Sequence, residues 1–328
     1  MFKVVIPAAG EGRRLKPHTH TTPKVLLQVA GKPIIGHIME RLVNINPDEV
    51  IVIVGNQGMQ IRDYLTAKYN FNFKFVEQKD PKGLGDAVSR ASEFFINSPE
   101  PISILILLGD TIVDIDFQEL IGKENVIGVK KVEDPRRFGV VEVRDSYITK
   151  ITEKPIEPRS NLAIVGIYYF TNAQRLFDSL QKIISEDRKT RGEYQLSDAL
   201  QDMVNSGIKI KIFPVEYWLD CGTSEALIET NRYLLQTTNY FRPRERVVII
   251  PPVYIDDSAI IEESVIGPFV SISEGVEIRN SIIRDSIINQ RAYVENSLME
   301  SSILSENACV RERAHKVNLG AFSEMELG

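Results

Sequence analysis

The residues best suited to chemistry gather near the start of the chain, in the stretch from Val4 to Lys24, VVIPAAGEGRRLKPHTHTTPK. Val4-Val5-Ile6 reads as a buried strand that breaks into a small-residue loop with Gly10 and Gly12, followed by Arg13, Arg14, Lys16 and Lys24. Such a loop at the carboxyl end of a strand suits phosphates: bare backbone N–H groups approach the oxygens while Arg and Lys neutralise them. Two common phosphate motifs are ruled out. The dinucleotide fingerprint needs a third glycine where Leu15 stands, and the ATPase loop needs a closing Gly-Lys-Ser/Thr. A strand-to-helix turn with solvated cations is the plainer alternative.

Carboxylates form the second set. Gly109-Asp110 closes the apolar pattern running from Ile102 to Leu108, and Asp220 follows Trp218-Leu219 and precedes a glycine. A carboxylate at the end of a buried strand costs folding energy unless something pairs with it. Two of them over a phosphate-suited loop fit a hard dication such as Mg²⁺, while a helix cap or turn aspartate is the alternative for each alone. Glu153-Lys154-Pro155 ends another strand pattern, the proline stopping the strand and fixing where the charged pair points. His18 and His20 lie in a polar, Thr-rich loop and are expected at the surface rather than on a metal. No Ser or Cys stands with a His and a carboxylate in a nucleophile arrangement.

These groups must be positioned by a sizeable scaffold. With 328 residues, 43% of them hydrophobic, the chain is long enough for two packed domains. A net charge of −6 with both signs mixed throughout excludes an electrostatic grip on nucleic acid, so the local cations must serve a small anion. No apolar run reaches the ~18 to 20 residues that span a bilayer, and Met1 to Ile6 is too short for a signal-peptide core, so no membrane partner and a cytoplasmic location are expected. Cys221 and Cys309 lie far apart without a Cys-x-x-Cys pair, which argues against a disulfide framework or a structural zinc.

From residue 1 to about 110, β-branched runs alternate with helical patterns: strands at Phe2–Ile6, Val50–Val54, Phe73–Val76 and Ile102–Leu108, helices at Ile34–Val43, Met59–Lys68 and Leu84–Phe95. This predicts a doubly wound α/β sheet covered on both faces. Ligands then sit outside the carboxyl ends of the strands, where the opening loop, the loop Glu77–Gly85 and Gly109-Asp110 all fall. From about 125 to 170 shorter alternating segments suggest an antiparallel insertion or lid beside that sheet. Helices at Ala173–Ile184 and Gln195–Asn205, a strand at Ile208–Phe213 and a helix capped by Thr223 complete a first domain. Beyond a linker-like stretch, aliphatic residues recur every five or six positions from Ile255 to Val310. Ser264-Val265, Ser281-Ile282 and Ser297-Leu298 repeat at 17 and then 16 residues. That double period predicts a prism-shaped parallel β-helix of three to four coils.

The ordered motifs Ile6-Pro7-Ala8-Ala9-Gly10-Glu11-Gly12-Arg13-Arg14-Leu15, Pro23-Lys24, Pro81–Ala87, Leu108-Gly109-Asp110, Phe138-Gly139-Val140-Val141, Glu153-Lys154-Pro155, Val165-Gly166-Ile167-Tyr168 and Leu219–Thr223 together resemble the sugar-1-phosphate nucleotidylyltransferases, or nucleotide-sugar pyrophosphorylases. The resemblance covers residues 1 to about 237. It implies a Rossmann-like, doubly wound mixed sheet followed by a short left-handed β-helix, divided as a catalytic domain 1–237, a linker 238–250, a β-helix 251–315 and a tail 316–328. It further implies a nucleoside triphosphate and a hexose-1-phosphate as substrates, Mg²⁺ as cofactor and a homo-oligomeric state. Arg14, Lys24, Asp110 and Lys154 would be catalytic, with Arg14 on the leaving pyrophosphate. Ala8, Ala9, Gly10, Gly12, Gln78 and Gly83 would bind the nucleotide, Gly139, Glu153, Lys154 and Val165 the sugar phosphate, and Asp110 with Asp220 the metal.

Ala9 and Arg13 depart from the thymidylyl pattern, and Pro7, Gln195-Leu196 and Asp220-Cys221-Gly222 look like the glucose-1-phosphate uridylyl branch. Val165–Tyr168 and the solenoid look like the long thymidylyl branch. Thymine and uracil therefore both stay open, with guanine and mannose-1-phosphate third. Two further readings are a silent relative that senses nucleotide sugars or serves as an assembly subunit, and a bifunctional enzyme whose solenoid transfers acyl groups with His315 as base.

Overall fold

The computed structural model describes residues 1–96, 98–122 and 124–312, so His315 and the expected tail lie outside the described residues. The chain divides into two compact units: Met1–Leu27 with Lys32–Leu227, and Gln28–Gly31 with Ile228 onward.

The first unit is built on one nine-stranded sheet ordered Phe73–Glu77, Glu49–Val54, Phe2–Ala8, Ser103–Leu107, Leu162–Phe170, Val126–Lys131, Lys211–Pro214, Tyr147–Glu153, Gly139–Arg144. The first four strands run parallel, as their continuous β-branched runs predict. Alternate residues then feed two cores. Val5, Ile51, Ile53 and Ile106 meet Leu176 and Leu180 of the helix Ala173–Ser185 and Leu200 of the helix Leu196–Asn205. Val4, Ile6, Val50 and Leu107 meet Ile38 and Leu42 of the helix Ile34–Val43 and Ile61 and Leu65 of the helix Gly58–Lys68.

The antiparallel segments expected as a separate insertion are part of this same sheet. Leu162–Phe170 pairs antiparallel with Ser103–Leu107 on one side and with Val126–Lys131 on the other. Burial on both faces explains its unbroken apolar sequence, LAIVGIYYF. Its register against Val126–Lys131 slips between Ile164 and Tyr168, around Gly166. Gly166 has φ +83°, and a Cβ there would lie 2.7 Å from the Leu108 side chain. The predicted helix Leu84–Phe95 is shorter than expected, an α-helix over Leu84–Ser89 and then a 3-10 turn over Ser92–Phe94.

The second unit stacks three four-stranded parallel sheets, one per face of a prism, consistent with the left-handed β-helix expected. Inward residues stack in register: Ile249, Ile266, Ile283 and Met299 on one face, Ile255, Ile272, Ile288 and Leu304 on the next, and Ile261, Ile278, Val294 and Val310 on the third. The first strand, Val247–Ile249, lies within the stretch expected as linker. The repeated serines form a ladder at one corner. The Ser281 N–H donates to Ser264 Oγ and the Ser297 N–H to Ser281 Oγ, each at 3.1 Å. The Gln28–Gly31 turn belongs with this unit because the Ala30 N–H donates to the buried Asn231 at 2.9 Å and Gly31 lies under the Tyr254 ring.

Replacing Ser281 with Ala leaves the Ser297 N–H without its acceptor in a buried corner. Urea unfolding should report a loss of about 1–3 kcal/mol.

Candidate active site

The site lies at the carboxyl ends of the parallel strands. After Phe2–Ala8 the chain turns through Ala9 and Gly10, and Gly12 adopts the left-handed conformation, φ +62°. A Cβ on Gly12 would lie 2.8 Å from Thr19. The Thr19 hydroxyl and the Leu15 N–H both donate to the Gly12 carbonyl, at 2.9 and 2.8 Å, which ties the loop down. Gly12 thus shapes the loop, while Ala8, Ala9 and Gly10 line two adjoining cavities of 250 and 260 Å³ together with Gln78 and Pro81.

Asp110 and Asp220 are far apart in sequence and meet because of a two-stranded ribbon. Trp218–Asp220 pairs antiparallel with Thr111–Val113, placing Asp220 opposite Thr111, and the Cys221 N–H donates to the Asp110 carbonyl at 3.2 Å. Lys24, only 8% exposed, donates to Asp110 Oδ2 at 2.5 Å. Burial raises the Asp220 pKa above its ordinary value and the Asp110 charge adds to the rise, while Lys24, Arg14 and Arg137 oppose it. Arg14 lies against the turn after Asp220: a Cβ on Gly222 would sit 2.8 Å from its Nη2 and 3.1 Å from Asp220 Oδ1.

A third cavity, of 300 Å³, is walled by Gly139, Glu153, Lys154, Val165 and Tyr168 and also lined by Arg14, Asp110 and Asp220. Asp110, Leu84, Leu108 and Glu193 line both this cavity and the one beside Gln78. Glu153 Oε2 accepts from the Ser197 hydroxyl at 2.9 Å, and Glu153 Oε1 lies 3.3 Å from Lys154 Nζ. Gly139 faces this carboxylate, since a Cβ there would lie 3.2 Å from Glu153 Oε2. Lys154 has φ +44°; its N–H donates to Phe138 and its carbonyl accepts from Arg191 at 2.7 Å. Burial beside Glu153 raises the Tyr168 pKa.

Every residue expected at the site from sequence is thus on one cleft or on the loop that shapes it. Several others share it. Arg137 lines the third cavity and acts on Asp220, yet it reads as one half of an Arg136-Arg137 pair whose first member is bound to Asp134. Its one sequence signal is its place directly before Phe138-Gly139. Glu193, Ser197 and Trp218 also line the cleft, the Trp218 and Phe138 rings packing edge to face with centroids 4.8 Å apart. His18 is half-buried, and His20 is exposed and lines the 260 Å³ cavity.

Among the described residues no group of three or more His, Cys, Asp or Glu could hold a metal ion. A cation would rest on Asp110 and Asp220 and fill its shell with phosphate and water oxygens, which is how Mg²⁺ is commonly held. Two hard oxygen donors, with the Asp110 charge acting on Asp220, fit such an ion. No helix among the described residues is long and apolar enough to cross a membrane.

A small-residue loop, Asp110 with Asp220 and a second charged cavity lie together at the strand ends of a mixed α/β sheet. Residues 3–237 match the nucleotidyl transferase family, and the chain belongs to it. It is 35% identical over 265 residues to the bifunctional protein GlmU of Methanocaldococcus jannaschii, covering 78% of this chain and 60% of that protein. It is 28% identical to the glucose-1-phosphate thymidylyltransferase of Streptomyces antibioticus, covering 99% of both. A solved Bacillus anthracis structure assigned as a glucose-1-phosphate thymidylyltransferase, in complex with sucrose, aligns with a TM-score of 0.62 at 26% identity, covering 74% of this chain and 98% of that one.

Between the ordinary aspartate pKa and its raised folded value, folded Asp220 holds a proton that the unfolded chain has lost, so its contribution to stability falls as pH rises. In metal-free protein, Asp220→Asn should therefore raise Tm near neutral pH, with the gain vanishing as pH falls below the ordinary aspartate range. Thermal unfolding across pH checks this, and a gain independent of pH would contradict it.

Proposed function

We propose that the protein transfers a nucleotidyl group from dTTP or UTP to a hexose-1-phosphate, glucose-1-phosphate first, releasing pyrophosphate. The observation that carries this reading is the position of Asp110, paired to buried Lys24 and lining both the cavity beside Gln78 and the cavity walled by Glu153 and Lys154. Two ligands bound there would meet at one group of charges.

In this reading the base and ribose occupy the side of Ala8, Ala9, Gly10, Gln78 and Gly83, and the sugar phosphate occupies the side of Gly139, Glu153, Lys154 and Val165. A phosphate oxygen of the sugar attacks the α-phosphorus, the bond from that phosphorus to the bridging oxygen breaks, and its electron pair leaves with pyrophosphate. No covalent group of the protein is required, so catalysis lies in bringing two polyanions together and compensating their charge. Lys24 and Arg14 screen the triphosphate, Lys154 the sugar phosphate, and Glu153, held by Ser197, accepts from sugar hydroxyls. Asp110 and Asp220 would hold Mg²⁺, which would supply further neutralisation of phosphate charge.

Purified protein with Mg²⁺ should release pyrophosphate from dTTP or UTP in the presence of glucose-1-phosphate, and no release across a panel of triphosphates and hexose phosphates would end this reading. Lys24→Ala should lower kcat by about 10²–10⁴, as expected when a preorganised charge is removed. Glu153→Gln should chiefly raise KM for the sugar phosphate and leave KM for the triphosphate nearly unchanged, measurable in steady-state assays with each substrate varied in turn.

A further inference from the structure

Asp86 is an acidic residue that the catalytic reading leaves without a part. It lies in the first turn of the helix Leu84–Ser89, only 5% exposed, with its carboxylate inside the protein. Its Oδ2 accepts from Gln78 Nε2 at 2.6 Å and its Oδ1 accepts from Arg90 Nη2 at 3.2 Å. Gln78 is itself 5% exposed and lines the cavities on the nucleotide side of the cleft. Its Nε2 also donates to the Gly83 carbonyl at 3.3 Å, and its backbone N–H is bound to Val54.

The two partners of Gln78 Nε2, a carboxylate oxygen and a peptide carbonyl, are both acceptors. A carboxamide has a donor end and an acceptor end, and here chemistry settles which is which: turned over, the amide would set its oxygen against two other oxygens. The nitrogen is therefore committed inward. No donor among the described residues bonds Oε1, which is the end left to meet a ligand. Arg90 holds the other oxygen of the Asp86 carboxylate, which fixes the group facing Gln78 from both sides.

We infer that Asp86 is a positioning residue for base selection, locking Gln78 so that the nucleotide pocket presents a hydrogen-bond acceptor and takes bases with a ring N–H on their pairing edge. Uracil and thymine carry such a donor at N3, and guanine carries one at N1. Cytosine at N3 and adenine at N1 present a lone pair, which would face the Gln78 oxygen without a proton between them. A site built to bond one polar group rejects analogues lacking it far more strongly than an apolar pocket distinguishes sizes. This inference rests on the nucleotide side of the cleft being the base site, as proposed above, and it adds the group that sets the polarity there.

The test measures equilibrium binding and initial rates of the full-length protein with UTP, dTTP, CTP and N3-methyl-UTP, for the native chain and for Asp86→Asn. Asparagine keeps the shape and can donate as well as accept, which releases Gln78 to turn over. The native protein should prefer UTP to CTP and to N3-methyl-UTP by at least ~100-fold in binding. Asp86→Asn should narrow the UTP-to-CTP ratio at least tenfold while kcat at saturating UTP stays within about threefold, since loss of a merely structural contact would weaken both nucleotides alike. Equal binding of UTP and CTP by the native protein, full acceptance of N3-methyl-UTP, or an unchanged ratio in a folded Asp86→Asn variant would overturn the inference. If Asp86→Asn does not fold, the N3-methyl-UTP comparison decides on native protein alone. The base preference without pyrophosphate release on any sugar phosphate would support the inference while the proposed reaction failed. Turnover with CTP as good as with UTP would overturn the inference and leave the reaction class intact.

Discussion

Two like charges held close together are the constraint on which the first unit depends. Asp110 and Asp220 come together because Thr111–Val113 and Trp218–Asp220 form an antiparallel ribbon, and backbone pairing keeps the carboxylates there despite their repulsion. Lys24 is buried against Asp110, and Arg14 and Arg137 act on Asp220, so the repulsion is compensated from three separate segments. Charges fixed in place before a ligand arrives need no reorganisation when it does. The pKa of Asp220 is raised first by its burial and then by the Asp110 charge, against the pull of Lys24, Arg14 and Arg137.

The two ends of the cleft are made by different parts of one sheet. Parallel strands supply the loop after Ala8 and the segment Gln78–Gly85, whose glycines press on the Tyr194 backbone too closely to admit a Cβ: one placed on Gly83 would lie 2.6 Å from the Tyr194 carbonyl oxygen. Antiparallel strands supply Gly139, Glu153, Val165 and Tyr168. Leu162–Phe170 joins the halves, and its irregularity at Gly166 accommodates Leu108, which itself lines the cleft beside Asp110. Folding the antiparallel segments into the main sheet makes the second wall continuous with the first. A separate lid would leave the distance between the walls free.

The second unit follows a different logic, repetition in one dimension. Each face contributes one aliphatic residue per coil, and the serine ladder satisfies amides at a corner where no strand partner exists. Asn231 accepts from both Ala30 and Ser271 and donates to the Phe269 carbonyl, so one buried carboxamide ties a distant turn to the first coils.

Much of this was legible in the chain. The alternating strands and helices of the first 110 residues, the solenoid and its period, the small-residue loop after the first strand and the candidate carboxylates all follow from local pattern, because burial on two faces, on one stripe or at every fifth or sixth residue leaves a direct trace in residue types. The pairing of Asp110 with Asp220 depends on a ribbon between segments about a hundred residues apart, and no local signal encodes it. The role of Arg137 was hidden beside Arg136, and the orientation of Gln78 depends on a carboxylate one helix turn beyond the loop. The membership of the antiparallel strands in the main sheet likewise rests on long-range register. Residue types and spacing by themselves determined which groups could bind phosphate and what scaffold would carry them. Only the tertiary structure decided which charges come together and which end of the Gln78 amide is bound within the protein, because electrostatic and hydrogen-bond geometry depends on distances in space that sequence spacing does not contain.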